Sequence, residues 1–134
     1  MKLMFTIAVM AVVFASGPSV AIARQPQPLK VQIGQEKKAP GSGLRIKFVE
    51  LVEDSRCPEN TNCIWAGNAK IKVRVAKNGR SKVLELDTMP MSKEPVRFGS
   101  YILKLVKLTP APREGARLNR NAYEASIAIA KAPK

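Results

Sequence analysis

The residues with the most chemistry to offer are two cysteines, Cys57 and Cys63. Between them lies Pro58-Glu59-Asn60-Thr61-Asn62, a run of turn formers that folds the chain back on itself, so the pair is expected to close a small ring as a disulfide. In chain-entropy terms a ring of about seven residues is worth roughly 2 kcal/mol. A catalytic redox pair would use a two-residue spacer backed by a helix N-terminus, and neither is present in the sequence pattern. Two thiolates without histidine also fall short of a zinc site.

The sequence contains no histidine at all. That excludes Ser–His and Cys–His nucleophilic sites and His-based metal sites, and it removes the side chain most used for proton transfer near neutral pH. The carboxylates Glu50, Glu53, Asp54 and Glu59 lie close together in sequence, but calcium wants about six or more oxygens, and no calcium-loop spacing is present. Met89-Pro90-Met91 offers two thioethers that suit Cu(I), and it reads more simply as a loop with two packing methionines. The expectation is a protein that is not an enzyme, with no cofactor and no metal.

Charge is the second resource. The 134 residues hold 23 Lys plus Arg against 10 Asp plus Glu. Arg45 and Lys47 alternate along one stretch, and Lys70, Lys72 and Arg74 along another, which places these cations on one solvated face of a sheet. Such a face serves solubility, or it serves as an anion-binding surface for lipopolysaccharide, anionic phospholipid, acidic polysaccharide or an acidic exported protein. Nucleic acid is disfavoured, because no RNA-binding aromatic motif is present and export removes the usual target.

The densest cluster of unusual residues is Asp54-Ser55-Arg56-Cys57-Pro58 followed by Cys63-Ile64-Trp65-Ala66-Gly67-Asn68. Asp54 or Ser55 is expected to satisfy backbone donors at a turn, Pro58 to fix φ inside the ring, and Gly67 to permit a bulge or a close approach where the next strand begins. Trp65 is expected to lie against the disulfide as a structural residue and to bury a large apolar area. Alternatively Arg56, Pro58, Glu59, Asn60, Thr61 and Asn62 form a rigid recognition loop that loses little entropy on binding. The string DSRCPENTNCIWAGNAKIKV resembles the recurring core of a family of small, uncharacterised exported bacterial proteins, described as secreted proteins or lipoproteins. The likeness is strongest from about Leu44 to Val75. It implies an exported role and no established reaction, so no catalytic residues come with it. Relatives often carry a lipoprotein cysteine at the signal junction, and this sequence has none there.

These groups need elements to hold them. Lys2, the apolar run Leu3 to Phe14, the Gly17-Pro18 break and Ala21-Ile22-Ala23 read as a signal peptide over residues 1–23, too short before the break to span a bilayer. Lys2 is the only charged residue in it, so residues 24–134 keep 22 basic and 10 acidic side chains, a net of +12. The mature chain is expected to be exported, periplasmic or secreted, with no transmembrane segment. It should form a single domain over 24–134 behind a flexible leader at 24–28. Period-two alternation marks strands at Leu29 to Ile33, Leu44 to Phe48, Tyr101 to Leu108 and Tyr123 to Ile129, while Gly34 to Gly43 reads as a loop. Tyr101 to Leu108 carries apolar residues on both sides and is expected to be buried on both faces for part of its length.

Asn78-Gly79 is the preferred pair for a type I′ turn and predicts a hairpin. Pairing Lys77 with Arg80 sets Val73 against Leu84, Lys72 against Glu85, Ile71 against Leu86 and Lys70 against Asp87. Apolar then meets apolar and Lys meets acid, whereas a slip of one residue sets Lys72 against Leu84. The fold class that follows is all-β, a small antiparallel sandwich or partly closed barrel of six to seven strands with one disulfide-closed loop.

Overall fold

The computed structural model describes residues 27–90 and 93–133, together with 12 and 16–19. Apart from those few positions the expected signal segment lies outside the described residues, as do leader residues 24–26 and Met91. Eight strands form: β1 (Leu29–Gln32), β2 (Glu36–Lys38), β3 (Arg45–Asp54), β4 (Ala69–Lys77), β5 (Arg80–Asp87), β6 (Val96–Phe98), β7 (Tyr101–Thr109) and β8 (Glu124–Lys131). They pair antiparallel in two four-stranded sheets, β1-β8-β7-β6 and β2-β3-β4-β5, each with two open edges. The fold is therefore an all-β arrangement of two sheets and not a closed barrel. No helix among the described residues is long and apolar enough to cross a membrane.

The core lies between the sheets because alternate residues of each strand point inward. Ile46 and Phe48 of β3, Ile71, Val73 and Val75 of β4, and Leu84 and Leu86 of β5 face Val31, Leu103, Leu105, Leu108, Tyr123, Ala125 and Ile127 of the other sheet. The hairpin register is the one the charge and apolar pattern requires, from Lys77 opposite Arg80 to Lys70 opposite Asp87. Asn78 and Gly79 both adopt positive φ, 51° and 76°, as a type I′ turn demands.

Three details depart from the alternation. Two strands appear beyond the six placed by alternation and by the hairpin, Glu36–Lys38, within the stretch expected to be a loop, and Val96–Phe98; each is a three-residue edge segment, too short to show a period. β3 runs on to Asp54 because two bulges, between Phe48 and Glu50 and between Leu51 and Glu53, let it keep pairing with β4. A third bulge, between Leu105 and Lys107 in β7, shifts the inward set by one residue. Leu103, Leu105 and Leu108 therefore all face the core and Val106 is exposed, which corrects the expectation of burial on both faces.

The two sheets share a polar clamp at one end. The Arg56 guanidinium, just past the end of β3, donates from Nε to Asp54 Oδ1 at 2.7 Å and from Nη2 to Oδ2 at 2.8 Å. It also donates to the backbone carbonyls of Leu108 and, at 3.0 Å, Pro110, at the end of β7. The Tyr123 hydroxyl donates to Asp54 Oδ2 at 3.0 Å from the start of β8. Charge-assisted, bidentate bonds of this kind are stronger than neutral ones, so the clamp ties β3 of one sheet to β7 and β8 of the other.

Candidate functional site

The disulfide Cys57–Cys63 is formed and closes the loop between β3 and β4. Below the ring, Ser55 N donates to Asn68 O at 2.7 Å and Cys57 N to Ala66 O at 3.3 Å, so the hairpin ladder continues into the loop. Gly67, at φ +69°, sits where the two backbones nearly touch; a Cβ built there would lie 1.9 Å from the Ser55 carbonyl oxygen. This is the close approach expected of that glycine. Asn68 extends the brace, its Oδ1 accepting from Thr88 Oγ1 and from Met89 N. From the other side the connection between β7 and β8 packs against the ring. Glu59 N donates to Pro112 O at 3.0 Å, Thr61 Oγ1 donates to Glu114 Oε2 at 2.6 Å, and Glu114 N donates to Asn60 Oδ1 at 2.8 Å.

These contacts redistribute the candidate recognition loop. Arg56 is only 16% exposed and is consumed by the clamp, while Asn60 and Thr61 hold the β7–β8 connection; Glu59 and Asn62 remain exposed, and Pro58 is half-buried. Trp65 does not lie against the core side of the ring. It is 71% exposed, and its neighbour Ile64 is 96% exposed. The expectation that Trp65 is a buried structural residue is thus corrected. The ladder bonds at Cys57–Ala66 and Ser55–Asn68 carry the returning chain straight into β4, and Phe48, Leu108 and Tyr123 already fill the neighbouring core, which leaves Ile64 and Trp65 at the tip. The adjacency of two large apolar residues between Cys63 and Gly67, with no alternation to bury either, was the signal available in the sequence.

Burial alone would raise the Asp54 carboxyl, but the hydrogen bonds and charge of Arg56, followed by the Tyr123 hydroxyl, outweigh it and hold the group below its ordinary value. Tyr123 shifts the other way: burial, then the Asp54 hydrogen bond and charge, raise its phenol above 10.0. Asp54 therefore stays ionised and Tyr123 stays a donor through the neutral range, and the pair with Arg56 is a closed, fully used network. Among the described residues no group of three or more His, Cys, Asp or Glu side chains is placed to hold a metal ion.

The basic residues are divided by register. Directly opposed residues share a face, so the outer surface of the β2-β3-β4-β5 sheet reads in rows. Towards the Asn78-Gly79 turn lie the row Lys38, Arg45, Ala76 and Ser81 and the row Glu36, Lys47, Arg74 and Val83. Towards the disulfide lie Glu50, Lys72 and Glu85, then Glu53, Lys70 and Asp87. Lys70 and Lys72 each stand between two carboxylates, and Lys72 Nζ is 3.7 Å from Glu50. Arg45, Lys47 and Arg74 stand with Lys38 in a group whose only acid is Glu36, 4.0 Å from Arg45. All five cations expected to share one face do so, but their neighbours differ: Arg45, Lys47 and Arg74 have Glu36 as the single acid in their rows, whereas Lys70 and Lys72 are set among carboxylates.

The same turn end carries an open cleft of about 490 Å³ between the two sheets. Phe98 and Tyr101 line it together with Lys77 and Arg80. Lys77 Nζ donates to Ser42 O at 2.7 Å and lies 4.8 Å from the centre of the Tyr101 ring, a cation–π geometry. A neighbouring hollow adds Lys82 and Arg97, and no carboxylate lines either cavity. Compared with known proteins, the chain matches no protein-family model, no curated protein sequence and no solved structure.

Proposed function

We propose that this protein is a non-catalytic, exported cell-envelope protein, of the family of small exported bacterial proteins that its cysteine-loop motif resembles, and that it binds an anionic envelope component or an acidic partner. The contact surface is the basic half of the outer sheet face, Lys38, Arg45, Lys47 and Arg74. The observation that supports it is the segregation of charge along the strands. Rows rich in carboxylates lie at the disulfide end, and rows with a single carboxylate, Glu36, lie at the turn end. A surface that served solubility alone would gain nothing from separating the signs, whereas a one-signed patch raises the local concentration of a counter-charged polymer or headgroup. The ligand chemistry is a repeated anion, carried by phospholipid or by acidic polysaccharide.

Binding to phosphatidylglycerol vesicles and to polygalacturonate, measured side by side, distinguishes these sources. Affinity for at least one of them should fall by about tenfold or more between roughly 0.01 M and 0.15 M salt, where the screening length shrinks from about 30 Å to 8 Å. Lys47→Gln with Arg74→Gln should weaken it, and Lys70→Gln with Lys72→Gln should not. Binding that ignores both salt and the first pair of substitutions refutes the basic face as the site.

A second function is favoured by a different observation, the exposure of Ile64 and Trp65 on a braced ring: an interaction module that presents the Cys57–Cys63 loop to an exported protein. An anchor held by a disulfide and a hydrogen-bond ladder has already lost the entropy that flexible loops lose on docking.

A further inference from the structure

The two ends of the domain differ in a complementary way. β7 runs from one to the other, with Tyr101 lining the cleft and Leu108 beneath the Arg56 clamp; the seven steps between them at about 3.3 Å each set the ends roughly 23 Å apart. At the disulfide end Ile64 and Trp65 project, 96% and 71% exposed, from a loop whose flanking charges include Glu59 within the ring and Glu114 docked on it. At the turn end the cleft and the hollow beside it are lined by Phe98, Tyr101 and basic side chains, with no carboxylate, and the Lys77 ammonium lies over the Tyr101 ring.

We propose that the tip is an interaction surface for a second copy of this chain, with Ile64 and Trp65 of one copy seated in the Phe98–Tyr101 cleft of the next. This rests on the second function above and names its partner. The apolar pair meets Phe98 and the edge of Tyr101, the carboxylates beside the tip meet Arg80, Lys82 and Arg97, and a guanidinium over an indole adds a cation–π contact. A cleft of about 490 Å³ lies within the roughly 300–1,000 Å³ range of cavities that accept groups of this size. Because donor and acceptor surfaces lie at opposite ends, the contact is heterologous, so each added copy presents a new free end and the assembly is an open head-to-tail chain rather than a closed dimer.

The chain is produced with its own N-terminus, as the cell processes it, and its mass is followed by light scattering up to about 1 mM, the range in which a small contact becomes populated. The mean mass should rise past twice the monomer value as concentration increases. Trp65 is the only tryptophan, so its emission should shift to the blue over the same range. Trp65→Ala alone, and Arg80→Glu with Arg97→Glu alone, should each remain monomeric. Mixing the two should restore association and stop it at two copies, because each variant keeps one intact end. Monomer mass at every concentration overturns the proposal, as does association that Trp65→Ala leaves unchanged. A blue shift with phosphatidylglycerol vesicles or with a different protein, without self-association, also overturns it while leaving the loop an interaction module.

Discussion

Removal of the Arg56 side chain puts the inter-sheet clamp to a quantitative test. In Arg56→Ala the Asp54 side chain, only 9% exposed, keeps the Tyr123 hydroxyl and the backbone N–H of residue 56 but loses the guanidinium, and the Leu108 and Pro110 carbonyls lose its donation. Hydrogen bonds to charged groups are worth roughly 1.5–3 kcal/mol each. Deleting one partner of a buried ion pair costs roughly 3–5 kcal/mol. Arg56 is 16% exposed, so water enters the vacated site and offsets part of the loss, and the expected cost is about 3 kcal/mol. In urea unfolding at pH 7 the midpoint should fall with the slope unchanged, and Tm should drop by about 10–20 °C.

The pH dependence gives a second readout. Asp54 titrates below its ordinary 3.8 in the folded state, so its contribution is fully present above that value and is lost as pH falls through the lower, folded value. The wild-type chain should lose this stability below about pH 4, whereas Arg56→Ala has little of it left to lose, so its urea midpoint changes less between neutral and acid pH. Adding Asp54→Asn to Arg56→Ala should cost less than the two single losses together, because the residues share one network. An Arg56→Ala chain within about 0.5 kcal/mol of wild type, with an unchanged acid limb, would refute the clamp as a source of stability.

Other outcomes follow from the same geometry. Tyr123 titrates above 10.0, so its contribution holds below that pH and is lost as pH rises through the higher folded value; Tyr123→Phe should flatten the alkaline limb of an unfolding profile. Gly67→Ala places a methyl 1.9 Å from the Ser55 carbonyl at a positive φ and should cost at least about 2 kcal/mol in chemical denaturation, whereas Gly79→Ala, with open space around it, should cost about 1 kcal/mol. Reducing Cys57–Cys63 should lower stability by roughly 2 kcal/mol without unfolding the sheets, as followed by circular dichroism with and without reductant. Acrylamide should quench Trp65 fluorescence efficiently in the monomer, and a strongly shielded tryptophan would contradict the exposed tip.

Much of the architecture is written in short-range pattern. The β4–β5 hairpin follows from Asn78-Gly79 and the alternation beside it, because a period-two strand with one apolar face tolerates a single register. The ring follows from two cysteines and a turn-forming spacer. The use of Gly67 was legible too, as a residue needed where two chains converge. Strand parity past a bulge was not, since Leu105 and Leu108 come to share a face only because β7 pairs irregularly with β8.

The site shows the same division. Sequence alternation determined that Arg45, Lys47, Lys70, Lys72 and Arg74 point outward, because side chains alternate along any strand. The Asn78-Gly79 turn also determined the β5 neighbours of Lys70 and Lys72, but not those contributed by β2 and β3, whose pairing and register depend on longer connections. The hairpin pattern already set Glu85 beside Lys72 and Asp87 beside Lys70; only the tertiary structure added Glu50 and Glu53 from β3 and left Lys38, Arg45, Lys47 and Arg74 with Glu36 alone. Arg56 looked like part of a presented loop and Trp65 like a buried structural residue against the disulfide. Packing reversed both, because the carbonyls of Leu108 and Pro110, more than 50 residues away, capture the guanidinium, while the ladder bonds of the ring hold the indole at the tip, clear of the core.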